Sequence, residues 1–411
     1  MKFFTAFFVL CSLVANAQVK ILFDASKAQM CSNADWVIDA DAFNIGTGGN
    51  GAMVAGQGNE ANPQRFPTPA QSGITSATNE TYWSGALSAW AVDLVKLGYQ
   101  VETLPYNGSI TYGNSNNPQD LSNYKVFISD EPNIKFSAAE AVAIVQFVQH
   151  GGGLFMIADH DVSDRNFDGW DSPHIWNSLM DTNSVQTHPF GITFDYQNFS
   201  ETSSNIANLP ADSCLHNSLI GDVALIKISG GTSITLNHSY NSTAKGLIFK
   251  TGASTTGTTQ ILLASAYYGN GKVAALTDSS PPDDGTGDPN DNLYYSYTGE
   301  ANGSHRIFLL NTTIWLAAGS STDTTSTSVT EIETAKTEMQ IFPNPLSNEN
   351  LQLIVPENLI GEHVEVLDAE GRKFFEEKIT SVHSQIALTH LSNGIYFVRV
   401  NEQIKKFIKL F

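Results

Sequence analysis

The chain has 411 residues, with 21 Lys and Arg against 41 Asp and Glu, a net charge of −20 and an isoelectric point near 4.7. An acidic chain repels a phosphate backbone, so nucleic acid is excluded as an expected partner, whereas cations are attracted. The length suggests one large domain and one small one.

Met1-Lys2, then Phe3, Phe4, Phe7, Phe8, Val9 and Leu10, then Val14-Ala15-Asn16-Ala17, predict a secretory signal peptide over residues 1–17. No stretch reaches the roughly 20 apolar residues of a spanning helix, so no transmembrane segment is expected. Cys11 leaves with the signal. Cys31 and Cys214 remain, either as one disulfide or as two separate buried thiols.

Val19 to Phe23 reads as a first strand halting at Asp24. Trp83, Leu87, Trp90, Leu94 and Leu97 recur at helical spacing, with Gly98 as the stop, and Tyr99 to Leu104 reads as the next strand. A third strand, Lys125 to Ser129, ends at Asp130-Glu131. Ser137 with Glu140 forms a capping box opening a helix, which Gly151-Gly152-Gly153 closes. Leu154 to Ala158 is a strand ending at Asp159-His160, and Lys272 to Thr277 is another ending at Asp278-Ser279. His305 precedes a last apolar helix, Ile307 to Ala318.

Strand and helix alternating in this rhythm predict an α/β body over residues 18–319, a parallel sheet with helices on both faces. Ligand sites in such sheets lie beyond the carboxyl ends of the strands. That rule selects Asp24, Asp130, Glu131, Asp159, His160 and Asp278, with His305 near the same edge. A histidine between carboxylates can be a general base or a metal ligand, and a second divalent metal could sit there. The plain alternative is a histidine hydrogen-bonded to its own loop.

Asp164-Arg165-Asn166-Phe167-Asp168-Gly169 alternates oxygen-bearing side chains before a glycine, as the first half of an EF-hand-type loop does. Asp164, Asn166, Asp168, the Trp170 carbonyl and Asp171 are the expected Ca2+ ligands, although Ile175 stands where a bidentate glutamate belongs. A solvated turn capped by its own side chains is the alternative. The loop Asp278 to Asp288 offers further oxygens. Among the aromatics, Trp83 and Trp90 read as core. Trp170 and Trp176 are the platform candidates for a sugar, and Tyr294, Tyr295 and Tyr297 are candidates for the rim.

Ser320 to Ser328 holds no apolar side chain and predicts a flexible linker, set at 320–338. Beyond it, short alternating strands such as Leu351 to Val355, His363 to Leu367 and Ile395 to Val400 predict a small antiparallel sandwich over 339–411.

Phe342-Pro343-Asn344-Pro345, Asp368-Ala369-Glu370-Gly371-Arg372, Leu391-Ser392-Asn393-Gly394-Ile395-Tyr396 and the terminal Lys405, Lys406 and Lys409 occur in order. With them the tail resembles the type A C-terminal sorting domain of the type IX secretion system. That resemblance implies a Bacteroidetes bacterium, passage through the periplasm to the surface or medium, and the secretion machinery as partner. The helix, Gly-Gly-Gly and strand of residues 137–160 resemble the class I glutamine-amidotransferase-like superfamily, particularly its ThuA-like members. Ala158, Asp159 and His160 stand where an amidotransferase places its nucleophilic cysteine, so glutaminase chemistry is not implied. Two readings follow. One is a metal-assisted hydrolase acting on an extracellular carbohydrate or ester polymer. The other is a calcium-stabilised glycan-binding or adhesion protein without chemistry.

Overall fold

The computed structural model describes residues 18–39, 71–208, 214–217, 220–287, 292–318 and most of 339–409, with short strand traces at Gly46–Thr47 and Met53–Val54. The expected signal peptide, the linker from 320 to 338, Asp288, Pro343 to Pro345 and Ala369-Glu370 lie outside the described residues. The chain divides into two compact units, residues 1–323 and 324–411.

The first unit is mixed α/β. Its longer strands are β1 (Lys20–Asp24), β2 (Gln100–Leu104), β3 (Val126–Asp130), β4 (Gly153–Ile157), β5 (Ile192–Phe194), β6 (Phe199–Ser203), β7 (Ile226–Gly231), β8 (Ile234–Leu236), β9 (Lys245–Phe249), β10 (Ile261–Tyr268) and β11 (Gly271–Leu276). The main sheet runs β2-β1-β3-β4-β11-β10-β8-β5, with β9 also on β10. From β2 to β11 every pairing is parallel. From β11 onward every pairing is antiparallel. β6 and β7 form a separate antiparallel ribbon with a bulge between Ser229 and Gly231.

The long helices are α1 (Ser88–Lys96), α2 (Ala138–Gln149), α3 (Ser172–Thr182) and α4 (His305–Ala317). Successive strand residues point to opposite sides of a sheet, and the central strands are buried along their whole length. Leu22, Phe127, Leu154 and Met156 share one core with Ile144 and Val148 of α2 and Ile175 and Trp176 of α3. Ile21, Phe23, Ile128, Phe155 and Ile157 share another with Trp90 and Leu94 of α1 and Phe308 and Leu309 of α4. Each such buried side chain contributes about 1.5–3 kcal/mol.

α2 starts as the sequence dictates. The Ser137 hydroxyl accepts from the Glu140 amide at 3.3 Å, and a Glu140 carboxylate oxygen accepts from the Ser137 amide at 2.8 Å. Gly151 ends it at φ +108°, a left-handed value that glycine adopts without strain. A Cβ on Gly153 would lie 2.7 Å from the Leu316 carbonyl oxygen, so this glycine lets α4 approach β4. α1 begins later than its apolar spacing suggests, after a 3-10 turn at Glu80–Tyr82. Its start is capped from far away, where Asp284 Oδ2 accepts from the Ala89 amide at 2.7 Å.

The second unit contains two antiparallel sheets. Gln340–Phe342, Asn350–Ile354 and His383–Ala387 form one, and Lys373–Lys378, His363–Asp368, Gly394–Val400 and Gln403–Lys409 form the other. Val364, Val366, Val398 and Val400 face one core with Leu351, Leu353 and Phe407, as period-two alternation requires.

Candidate functional site at the strand ends

The parallel half of the sheet brings the carboxyl ends of β1, β3, β4 and β11 to one edge, and acids cluster there. Asp24, at the end of β1, is 3% exposed. Its Oδ1 accepts from the Ser26 amide and hydroxyl, and its Oδ2 accepts from Ser129 Oγ at 2.8 Å. Burial pushes its carboxyl above the usual range, with the Ser26 hydrogen bond the main opposing influence.

Glu131, fully buried beyond β3, is the hub. Its backbone sits at φ +40°, a left-handed value that costs a non-glycine residue on the order of 1–3 kcal/mol. Its carboxylate accepts from Trp36 Nε1 at 2.5 Å, Ser279 Oγ at 2.8 Å, and Arg165 through Nε at 2.7 Å and Nη2 at 3.3 Å. The same Nη2 reaches Asp159 Oδ2 at 3.3 Å, and Nη1 donates to Asn33 Oδ1 at 2.9 Å. One guanidinium thus ties the ends of β3 and β4 together. The charge on Glu131 in turn holds Arg165 more firmly protonated.

Asp159 is 3% exposed. Burial first, then the charges of Glu131 and Asp278, push its carboxyl well above the usual range, against the pull of Arg165. Asp278 is fully buried and accepts from the Ser229 amide at 2.6 Å and from Ser280 through both amide and hydroxyl. Burial raises its carboxyl too. Asp130 differs from them all, because neither of its buried oxygens has a hydrogen-bond partner. Burial, followed by Glu131, Asp278 and Asp283, pushes its carboxyl well up. A carboxyl in that position stays protonated, or gains a cation, rather than ionising alone.

His160 stands at the accessible margin, its side chain 27% exposed and Nε2 3.8 Å from Asp159 Oδ2. Its Nδ1 is 2.7 Å from the Asp161 carbonyl oxygen, which can only accept. The neutral ring therefore carries its proton on Nδ1 and leaves the Nε2 lone pair open. His305 is placed elsewhere. Its Nδ1 faces the Ser296 carbonyl and its Nε2 accepts from the Lys227 amide, both at 3.2 Å. Burial pushes this imidazole down to about 4. It ties the start of α4 to its neighbouring segments, and its bonds go to backbone rather than to the strand-end acids.

The 164–171 loop turns its acids onto its own backbone. Asp164 accepts from the Asp168 and Gly169 amides at 3.2 and 2.7 Å, and Asp168 accepts from the Trp170 amide at 2.9 Å. Asn166 donates to Asp168 at 3.0 Å. Asp171 caps α3, accepting from the His174 amide at 3.1 Å and from the Val162 amide at 2.7 Å. Among the described residues, the group whose donor atoms lie within 4.8 Å of one another is Asp161, Asp171 and His174.

The aromatic expectations need correction. Trp176 is wholly buried, its Nε1 donating to the Ile157 carbonyl at 3.0 Å, so it is core. Tyr297 is buried and bonded to Asp93 at 3.0 Å. Trp170 is half-buried under Lys135, whose Nζ is 4.1 Å from the ring centre. Cys31 and Cys214 are buried in different cores and are not joined. The sequence reading missed Arg165 as the ion-pair centre. The one signal it offered was a lone cation inside an acidic loop.

Residues 340–411 match the family model described as a secretion system C-terminal sorting domain. The C-terminal unit is therefore a type IX secretion sorting domain, and the protein is exported to the cell surface or secreted. No helix among the described residues is long and apolar enough to cross a membrane. No curated protein matches the chain. Among solved structures it is similar to the mmIFT52 N-terminal domain, at 14% identity over 60% of this chain and 96% of that one, with a TM-score of 0.37. It is also similar to two cytoplasmic proteins from Salmonella typhimurium. STM3548 shares 12% identity over 56% and 85% of the two chains, with a TM-score of 0.34. STM1381, from strain LT2, shares 16% identity over 55% and 82%, with a TM-score of 0.32. Likenesses this distant carry no argument about fold or function.

Proposed function

We propose that the body is a secreted hydrolase with an amidotransferase-like fold, acting on an extracellular carbohydrate or ester polymer at the edge formed by Glu131, Asp159, His160 and Asp278. The observation that carries the reading is the pairing of a reachable imidazole with a buried acid. His160 Nε2 lies 3.8 Å from Asp159 Oδ2, and that carboxyl is held above its usual range. A reachable imidazole to accept a proton and a neighbouring carboxyl held protonated to give one are what acid–base hydrolysis needs.

In this reading His160 Nε2 takes a proton from the attacking water, and the Asp159 carboxyl returns one to the leaving oxygen. Arg165, itself held by Glu131, keeps Asp159 in place directly, and Ser279 and Trp36 keep Glu131 in place. No side-chain nucleophile is required. A divalent metal is part of the proposal, supported by the surplus of buried carboxylates over Arg165 at this edge and by the donor set of Asp161, Asp171 and His174. Calcium in the 164–171 loop has its oxygen spacing as support. It would have to displace the amides that Asp164 and Asp168 now hold.

The test is single-site. His160→Ala should abolish polymer cleavage while leaving the melting temperature near that of the parent. A variant that cleaves at the parental rate would refute the assignment. If the parent cleaves nothing but binds a glycan, the adhesion reading takes its place.

A further inference from the structure

Beside His160 lies a group of exposed side chains that the hydrolytic reading does not use. Tyr196 is 53% exposed, yet its ring is fixed. One face stacks on the His174 imidazole, centroids 3.9 Å apart and planes 5° from parallel. Its hydroxyl accepts from Asn177 Nδ2 at 3.3 Å, and Asn177 is itself locked to the Phe194 backbone at 2.8 and 2.9 Å. His174 is held in turn, 2.7 Å from Asp171 Oδ1. With one face covered and the ring still half exposed, the open face of Tyr196 is presented to solvent on a rigid mount.

Val162 is 79% exposed and sits at φ +66°, a conformation that a β-branched residue rarely adopts. Its amide is anchored to Asp171, the same side chain that fixes His174. A residue held in a sparsely populated backbone region motivates a search for function around it. The group borders the catalytic margin, because the Asp161 amide donates to the Gln197 carbonyl at 2.8 Å. A methyl group added at Gly230 would lie 3.5 Å from His160 Cδ2 and 3.9 Å from Asn198 Oδ1, so His160 and Asn198 flank one spot.

We propose that the open face of Tyr196, with Val162 on the loop that Asp171 ties to its mount and the exposed Gln197 and Asn198 next to it in the chain, is a sugar-binding subsite for a neutral glycan that leads to His160. The proposal rests on the hydrolase reading for the direction of the chain but not for the binding itself. A preformed aromatic face fits the C–H face of a pyranose, and the amides suit its hydroxyls. Charge selects against acidic sugars. Residues 159–174 and 194–200 carry one cation of their own, Arg165, whose nitrogens are engaged by Glu131, Asn33 and Asp159, and two lysines reach them from elsewhere, Lys135 over the Trp170 ring and Lys250 over the Phe199 ring. The same segments carry Asp159, Asp161, Asp164, Asp168, Asp171 and Asp195.

The experiment is affinity electrophoresis of the secreted protein in gels containing xyloglucan, glucomannan, laminarin, alginate or polygalacturonate, with melting temperatures of every variant. At least one neutral polymer should retard the parent and neither acidic polymer should. Tyr196→Ala should weaken that binding about tenfold, the worth of one ring contact. Tyr196→Phe should bind within about twofold of the parent, because the face is intact. Absence of retardation by all three neutral polymers, preference for an acidic one, or a correctly folded Tyr196→Ala that binds like the parent would overturn the proposal. Binding lost in Tyr196→Ala with no cleavage by the parent would leave the subsite standing and remove only the hydrolase reading.

Discussion

Replacing Arg165 by Met removes the one cation that Glu131 and Asp159 share. The side chain is 15% exposed and makes bonds of 2.7, 3.3, 3.3 and 2.9 Å to Glu131, Asp159 and Asn33. Trp36 and Ser279 still bond to Glu131 in the variant, but its charge is left buried without a partner. Removing one partner of a buried pair costs about 3–5 kcal/mol. At about 2 °C per kcal/mol for a unit of this size, the melting temperature should fall by roughly 6–10 °C. The loss should be larger at pH 8 than at pH 5. Without Arg165 the buried Asp159 carboxyl loses the charge that opposes its upward shift, so the folded state holds a proton that the unfolded chain has released, and stability drains away as pH climbs. Tryptophan fluorescence isolates the effect, because all six tryptophans, at 36, 83, 90, 170, 176 and 315, lie in the first unit. A change below about 1 kcal/mol at both pH values would refute the account of Arg165 as the tie between β3 and β4.

Other outcomes follow from the same geometry. Asp130→Asn should be neutral or stabilising in urea denaturation at pH 8, since it removes a buried acid whose oxygens have no partner. A clear loss of stability there would mean that a cation uses the carboxylate. The body as a whole should lose stability as pH rises above the ordinary carboxylate range, because Asp24, Asp130, Asp159 and Asp278 all have raised folded values, whose contribution is full below that range and is lost as pH rises through them. His305, depressed to about 4, acts in the opposite sense between about 4 and 6.5 and is complete above it, but it is one group against four acids, so on balance stability should still fall as pH rises across that window. Ser137→Ala should cost about 1 kcal/mol by removing the α2 cap, read as a shift in the urea midpoint. Deletion of residues 340–411 should strand the body inside the cell envelope, and immunoblots of culture fractions would show it.

The parallel half of the sheet was legible because its strands are uninterrupted apolar runs ending in acids, so β1, β3, β4 and β11 were located to within a residue. The antiparallel half was not. Ile192–Phe194 and Ile234–Leu236 are three residues long, and Phe199–Ser203 carries polar side chains, leaving little periodicity to read. The strand-end rule put Asp24, Glu131, Asp159, His160 and Asp278 at one edge of the sheet, and the structure gathers them there. It overreached with His305, whose helical position near the edge says nothing about which way the ring turns. The regular oxygens of the 164–171 loop suggested a cation, yet the same spacing suits a turn that caps its own amides, and the sequence holds no term that decides between them. Tyr196 was invisible for a related reason. It lies in a stretch without regular structure, and its stacking on His174 comes from a residue far away in the chain.

The most direct test of the central claim is product release from xyloglucan, glucomannan, laminarin and a soluble polyester by the secreted protein and by His160→Ala, run side by side at pH 6 and 8. Cleavage of at least one polymer by the parent, reduced about a hundredfold or more in a variant that melts normally, is the result expected of a general base. Equal cleavage by both proteins, or none by the parent on any polymer, would contradict a hydrolytic site at Asp159 and His160.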